Sequence, residues 1–590
     1  MSEQERRPPS PAPPPNNGGR GGSGTFYWVV GALALALASL PYLYGAMNTP
    51  PGHVYSGLTH NIDDAAVYLT WIRQASEGVF FQFNRFTTEP QKGIVFNLFF
   101  LLLGNLARVT GLAPVAVYHV ARVVCGGLLL WAVARLIHHA LADERARRVA
   151  FALACFSAGL GWLGGGYDPS RAFEQPVDLW QPEALTFLSL YFTPLFTAAL
   201  ALMAVFVTAF LKAERSGRVA DLWPGMTAGF LLGNFHSYDV IQLFALAAGY
   251  RVLTDVGARK GDGRGWLRLI LLGLAMLPTT AYTYYALRFE PVFAARAFAS
   301  FTYSAGLPWV LMGYGLVLVL AALGAALPGA RAKYSGPDAL RLLLVWGVVA
   351  IAVAYVPVSF QRKLLMGAHL PLCLLAGAAG AALTERLSGK LPGIAAFFLV
   401  LVTAPSNLLF LMTDVSRLQA NVGSTHLRPY LTQGEWDALA WLRENTKRSD
   451  VVLVSPDPGS HLRFPGFPLM PFLSTYVPAI AGNVVYNGHW SETAAYEKEK
   501  LPRGRQFFRA DTPDAAREEL LREAGIRYVL YANGLAEGPP RDPQGEVLTN
   551  PATGGPLFEP ALWPTAGPPP YLREVYQNGD VVIYEVSAAE

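Results

Sequence analysis

Apolar, almost uncharged runs of about 17 to 25 residues recur along this chain, separated by short segments that are by turns Arg/Lys-rich and polar-acidic. A helix of that length crosses a hydrocarbon core of roughly 30 Å, and Arg/Lys-rich connectors mark the cytoplasmic side. The alternation therefore dictates a polytopic α-helical membrane protein of fixed sidedness. Function is to be sought where the acidic side meets the bilayer.

The composition agrees. A chain of 590 residues with 15% charged residues and a mean hydropathy of +0.29 has too little polarity to solvate one soluble domain of that size. Its net charge of +4 hides a segregation. Cations gather in the N-terminal tail (Arg6, Arg7, Arg20) and around residues 135–148, 212–218, 251–264, 331–333 and 386–390. Each cluster abuts an apolar run, so these are read as cytoplasmic rather than as a nucleic-acid patch, and no nucleic-acid partner is expected. Cys125, Cys155 and Cys373 all lie inside apolar runs, which excludes a disulfide framework for an exposed domain.

Residues 1–25 are a Pro/Gly/Ser/Asn tract that cannot offset the entropy of ordering, and a disordered cytoplasmic tail is expected. The run from Phe26 is longer than an ordinary signal-peptide core and reads as an uncleaved anchor. Spans are expected near 26–46, 115–138, 149–166, 188–211, 219–235, 238–255, 266–288, 308–328, 339–359, 366–384 and 391–413, about 11 in all. The N-terminus is then inside and the C-terminus outside, with a transmembrane domain over 26–413. Gly93 to Val109 is left out, because counting it would put Arg145, Arg147 and Arg148 outside. It reads as a helix in or dipping into the outer interface.

Beyond residue 413 the pattern becomes that of an extracytoplasmic α/β domain over 414–590. Thr432 to Thr446 carries an amphipathic helix pattern, and further helices are expected around 492–510 and 512–524. Strands are expected at Val451–Ser455, Ile526–Tyr531, 573–577 and 580–586, with a Pro-rich insertion around 536–570.

The outer loops carry the candidate chemistry. In the longest, 47–114, Ala65, Leu69 and Ile72 with Tyr68 form one apolar helical face, which puts Asp63 and Asp64 at the helix start near the membrane surface. Either could be an N-cap, or a general base toward an acceptor hydroxyl. A second loop runs from Asp168 to Glu183, and Glu183 stands almost at the start of a span, where an ionisable group is costly unless used or paired. A third, tight turn brings His236, Tyr238 and Asp239 together; it reads as a capping turn or as part of a site. Arg362 and Lys363 lie on the outer side against the charge rule, which suggests either a bound anion such as a lipid phosphate or snorkelling to anionic headgroups.

A first-loop acidic pair followed by Tyr68, an apolar interfacial helix, a second-loop acid and an outer C-terminal α/β domain together resemble the GT-C glycosyltransferases. Relatives in that superfamily include the protein O-mannosyltransferases, the aminoarabinose lipid A transferases and the oligosaccharyltransferase catalytic subunit. The resemblance implies a catalytic acid in the first outer loop. The family spacing of an Asp four residues before a Tyr falls on Asp64, with Asp63 the alternative. It implies a polyprenyl-phosphate-linked sugar as donor, a glycan, lipid or protein acceptor, and a multi-pass cytoplasmic (inner) membrane location in contact with membrane lipids. No Trp-Trp-Asp-Tyr-Gly run occurs, so the oligosaccharyltransferase peptide site is not expected. Asp63, Asp64, Glu183, His236 and Asp239 are hard ligands that could gather around a divalent cation, Mg or Mn. The segment Gly488-His489-Trp490 reads as a structural turn or as an aromatic sugar contact. Two other classes share part of this pattern, a lipid or polysaccharide transporter and a non-catalytic membrane assembly protein. Both lack a reason for acids and cations to meet in one outward cavity.

Overall fold

The computed structural model describes residues 20–168, 171, 173–299, 301–421, 427–456, 472–509, 511–532 and 567–587. The N-terminal tail through residue 19 and nearly all of the expected Pro-rich insertion lie outside the described residues. Among the described residues, seven helices are long and apolar enough to cross a membrane: α1 (Arg20–Met47), α4 (Pro114–Ala140), and those at Pro194–Ser216, Tyr238–Ala258, Gly263–Phe289, Leu307–Ala326 and Gln361–Leu383. An eighth span forms if Leu391–Thr403 and Pro405–Gln419, bent by 50° where Pro405 interrupts the ladder, count as one.

Three of the expected eleven spans are shorter helices. These are α5 (Glu144–Phe156, 13 residues), Trp223–Phe235 (13 residues) and Pro337–Val353 (17 residues). At about 1.5 Å per residue the two shortest reach roughly 20 Å, less than a hydrocarbon core. The chain after α5 shows why helix stops there. Ala158 N–H donates to the Thr403 carbonyl and Leu160 N–H to that of Met312. Gly159 and Gly161 N–H both donate to Asp178 Oδ2 at 3.0 Å. Neighbouring elements thus satisfy the backbone, the condition under which non-helical chain is tolerated at depth.

The cation clusters assemble at one end of the bundle. The Arg148 guanidinium lies over the Phe26 ring, Arg145 bonds the Thr384 carbonyl at 3.0 Å, and Arg215 bonds that of His139 at 2.8 Å. Deeper, the buried Glu214 carboxylate meets Arg251 and Arg268 at 2.8 Å each, joining the helices Pro194–Ser216, Tyr238–Ala258 and Gly263–Phe289.

At the other end, two segments far apart in sequence build one body. Strand β1 (His53–Tyr55) of the first loop pairs antiparallel with β2 (Tyr430–Thr432), His53 opposite Thr432 and Tyr55 opposite Tyr430. Leu58, Ile62, Ile72 and Phe86 of the loop share an apolar core with Leu431, Leu439, Tyr476 and Ile583. The helix Gln433–Asn445 starts with a capping box, Thr432 and Glu435 serving each other's backbone N–H. It packs near a five-stranded sheet of β3 (Val451–Val454), β4 (Val484–Val485), β5 (Ile526–Ala532), β6 (Leu572–Gln577) and β7 (Val581–Val586), in the order β4-β3-β5-β7-β6. β3 runs parallel to both neighbours, while β7 is antiparallel to β5 and β6. The β6–β7 turn is closed by Asn578 Oδ1, which accepts from Asp580 and Val581 N–H at 2.9 Å each. Strand β4 and the helical stretch from Phe472 to Ala481 were not expected from the sequence.

Helix contact within the bundle is close where glycine permits it. A Cβ on Gly377 would lie 2.7 Å from Ala150 N and 2.8 Å from the Ala146 carbonyl oxygen of α5, whereas at Gly393 nothing lies within 4 Å. Gly377→Val is expected to destabilise the protein by about 1–3 kcal/mol or more through overpacking. Thermal unfolding in detergent checks this, with Gly393→Val as the control that leaves the midpoint nearly in place.

Candidate active site

A cavity of about 610 Å³ opens where the first loop, the ends of several membrane helices and the C-terminal domain meet. Asp64, Glu183, His236, Tyr238, Arg362 and Lys363 all line it, together with Tyr68, Trp180, Trp490 and Glu492. Asp63 and Asp239 are absent from the lining and sit behind its wall.

Helix α2 (Ile62–Ser76) positions the acidic pair. Its N-cap is Asn61, not either aspartate, and both carboxylates stand in the first turn where the helix dipole favours negative charge. Asn61 Nδ2 donates to Asp64 Oδ2 at 2.8 Å. Successive helical residues point about 100° apart, and the pair divides accordingly. The Asp64 side chain is 41% exposed and faces the cavity, with Tyr68 one turn along. Asp63 is buried at 3% exposure and turns toward the C-terminal domain, where the Trp490 indole N–H donates to its Oδ2 at 3.2 Å.

Two cations line the same cavity. Arg362 Nε lies 3.7 Å from Glu183 Oε1, and the guanidinium sits over the Trp180 ring at 5.5 Å. Lys363 Nζ lies 4.6 Å from the Tyr238 ring centre. Backbone bonds fix the segment: Gln181 Nε2 donates to the Arg362 carbonyl and Arg362 N–H to that of Thr302, both at 3.0 Å. Cations held on aromatic faces are preorganised for an anion. His236 Nδ1 lies 3.0 Å from Asp239 Oδ1, which sets the buried Asp239, expected to bind substrate, behind the ring that does line the cavity.

Among the described residues no group of three or more His, Cys, Asp or Glu side chains stands close enough to hold a metal ion. Asp63, Asp64, Glu183, His236 and Asp239 thus do not gather as the expected divalent-cation set.

Sequence reasoning missed several polar residues that build this site. His60 Nδ1 lies 3.1 Å from the buried Asp414 carboxylate, which also accepts from the Tyr191 hydroxyl, and this ties the residue before Asn61 to the last membrane helix. Glu492, on the cavity wall, is buried and takes a bond from Asn84 Nδ2 at 3.2 Å. Neither carries a motif. Asp178, in the second loop, is not a surface acid but is buried against the Gly159 and Gly161 amides.

No protein-family model and no curated protein matches the sequence. Solved structures do. The archaeal oligosaccharyltransferase AglB from Archaeoglobus fulgidus, in complex with an inhibitory peptide and a dolichol-phosphate, superposes with a TM-score of 0.50 at 12% identity, over 86% of this chain and 69% of that one. ArnT from Cupriavidus metallidurans in the apo state gives a TM-score of 0.50 at 14% identity, over 95% of this chain and 98% of that one. The chain shares the fold of these two solved structures. Its membrane bundle with a C-terminal sheet domain is the architecture that the first-loop acids and Tyr68 suggested.

Burial pushes the Asp178 carboxyl up from 3.8 to about 6, against the lowering effect of its hydrogen bonds. A carboxyl raised in the folded state contributes stability that is full below about pH 4 and is lost as pH rises through 6. Relative to Asp178→Asn, which keeps an oxygen for both glycine amides, the wild type is expected to lose about 3 kcal/mol between pH 4 and 7. Unfolding midpoints of the two proteins across that range check the sign and the window.

Proposed function

We propose that the chain is a glycosyltransferase that moves a sugar from a polyprenyl-phosphate carrier to an acceptor hydroxyl or amine, at the outer face of the cytoplasmic membrane. The observation that carries this reading is that Asp64 and the Arg362/Lys363 pair line one cavity.

Asp64 is half exposed into the cavity and accepts the proton of the acceptor O–H or N–H as that atom attacks the anomeric carbon. The bond from that carbon to the phosphate oxygen breaks, and its electron pair leaves with the lipid phosphate. Arg362 and Lys363 offset the growing charge, each held in place by a ring beneath it. Attack opposite to the departing phosphate inverts the anomeric centre. The products are glycosylated acceptor, polyprenyl phosphate and protonated Asp64, which returns its proton to solvent.

The lining supports a sugar as cargo, since Tyr68, Trp71, Trp180, Tyr238 and Trp490 present aromatic faces around the polar groups. The dolichol-phosphate in the similarly folded AglB complex supports a lipid phosphate as the anion. The sorting of cation clusters to the far end of the bundle supports an outward-facing cavity.

The test is transfer from a panel of polyprenyl-phosphate-linked hexoses, pentoses and aminosugars by the full chain in nanodiscs. Asp64→Asn is expected to lower kcat by about 10²–10⁴-fold, the worth of a general base. Arg362→Ala is expected to weaken donor use by on the order of tenfold or more. Wild-type turnover in a folded Asp64→Asn protein removes the reading.

A further inference from the structure

The acidic pair at the start of α2 is not served by its own loop alone, because the segment 487–493 of the C-terminal domain reaches it. That segment is held rigidly. The Asn487 carbonyl accepts from Ser474 Oγ at 2.6 Å and the Gly488 carbonyl from Thr475 Oγ1 at 2.9 Å. Thr493 Oγ1 accepts from the Gly488 and His489 N–H groups and donates to the Phe86 carbonyl of the first loop. A Cβ at Gly488 would lie 2.9 Å from the Phe86 ring, so only glycine allows the two segments to close.

This packing buries His489 completely, at 0% exposure, with the Phe86 ring edge-on to its imidazole. The backbone N–H groups of Ser491 and Glu492 both point at His489 Nδ1, at 3.1 and 3.2 Å. Two N–H donors leave that nitrogen no proton of its own, so the ring is neutral and its proton sits on Nε2. Nε2 in turn faces the carboxylates, 3.8 Å from Asp63 Oδ2 and 4.0 Å from Asp64 Oδ1, the range of a dipole beside a charge rather than of a full hydrogen bond. A second proton would have to enter at Nδ1 against two amide hydrogens, so the ring is a fixed donor and not a relay.

We propose that His489 is a positioning residue for Asp64: a neutral imidazole, locked as the Nε2–H tautomer, that donates toward the paired carboxylates and keeps Asp64 ionised and aimed into the cavity. Trp490, whose indole N–H holds Asp63, completes the support. The inference rests on the reading of Asp64 as general base. Its competitor is that His489 only staples a turn through Nδ1.

The two nitrogens can be tested apart. Asparagine at 489 places an oxygen where Nδ1 stood, keeping the turn and removing the ε donor. Glutamine places an N–H near Nε2 and removes the turn acceptor. The other titratable groups facing the pair are Glu492 on the same segment, Tyr118 on α4, and Glu183, His236, Arg362 and Lys363 on the cavity walls, and all are unaltered in both variants.

Turnover of a polyprenyl-phosphoryl hexose in nanodiscs, followed as released polyprenyl phosphate against pH, is the readout. His489→Asn is expected to lower the unfolding midpoint, as loss of a buried ring does, to keep donor KM, and to lose up to about tenfold in kcat, the worth of an N–H dipole facing a charge just beyond hydrogen-bond range. The acid limb of its kcat/KM profile should move up by about one pH unit, because a carboxylate without its donor protonates earlier. His489→Gln is expected to recover most of that loss. Wild-type turnover and an unmoved acid limb in His489→Asn, or equal losses in both variants with no movement of the limb, overturn the proposal. If His489→Asn does not fold, Trp490→Phe leaves the turn intact and must shift the limb the same way, and an unmoved limb there overturns it too.

¹⁵N NMR of histidine-labelled full-length protein gives an answer independent of turnover. The signal that disappears in His489→Gln is expected to report the Nε2–H neutral ring from pH 5 to 8, and an imidazolium or an Nδ1–H ring in that range overturns the proposal. Asp64→Asn is assayed beside these. Transfer that survives in it removes the base and the whole reading, whereas transfer lost there with a wild-type limb in His489→Asn removes only the role of His489.

Discussion

The pairing of β1 with β2, and the apolar core that closes around it, is the contact on which the rest of this structure depends. It converts the first loop and the C-terminal segment into one body, with Leu58, Ile62 and Phe86 packed among Leu431, Leu439 and Ile583. Burial of each such side chain is worth about 1.5–3 kcal/mol, so the summed contact far outweighs what any single polar bond at the site contributes. Helix α2 is thereby fixed with its first turn at the edge of the membrane bundle, and the two aspartates follow from that placement.

The two carboxylates, adjacent in sequence, have different surroundings for a geometric reason. One turn of helix separates directions by about 100° per residue. Asp63 is delivered into the C-terminal domain beside Trp490, and Asp64 into the cavity that Arg362 also lines. One acid is supported and the other is accessible, without either being singled out by composition.

The membrane architecture was legible because hydrocarbon imposes length and charge rules on every span, and those rules act locally along the chain. They fail where backbone is satisfied by distant elements. The stretch after α5 looked like a continuing span, but Asp178, Thr403 and Met312 take its amides, and no local pattern announces partners so far along the sequence. The same limit applies to the site. Asp64, Glu183, His236 and Arg362 stood out as charges at membrane edges, and the structure brings them to one cavity. Asp414 sits just past an apolar run, beside Thr413 and Ser416, and His489 sits in a segment that reads as a turn. The significance of each lies in a partner contributed by the first loop. Between the two readings left open for the tight turn, Asp239 stands as the capping one would have it, three residues after His236 and behind that ring.

The ion cluster of Glu214, Arg251 and Arg268 has a mechanical consequence. It clamps three long helices at the end remote from the cavity, and two of those helices lead directly to the turn bearing His236 and to Glu290, whose carboxylate holds the Lys92 and Gly93 amides. Tongs riveted at the handles can spread only at the tips. Any spreading of these three helices is therefore confined to the end that bears the cavity, with the basic extremity as the pivot.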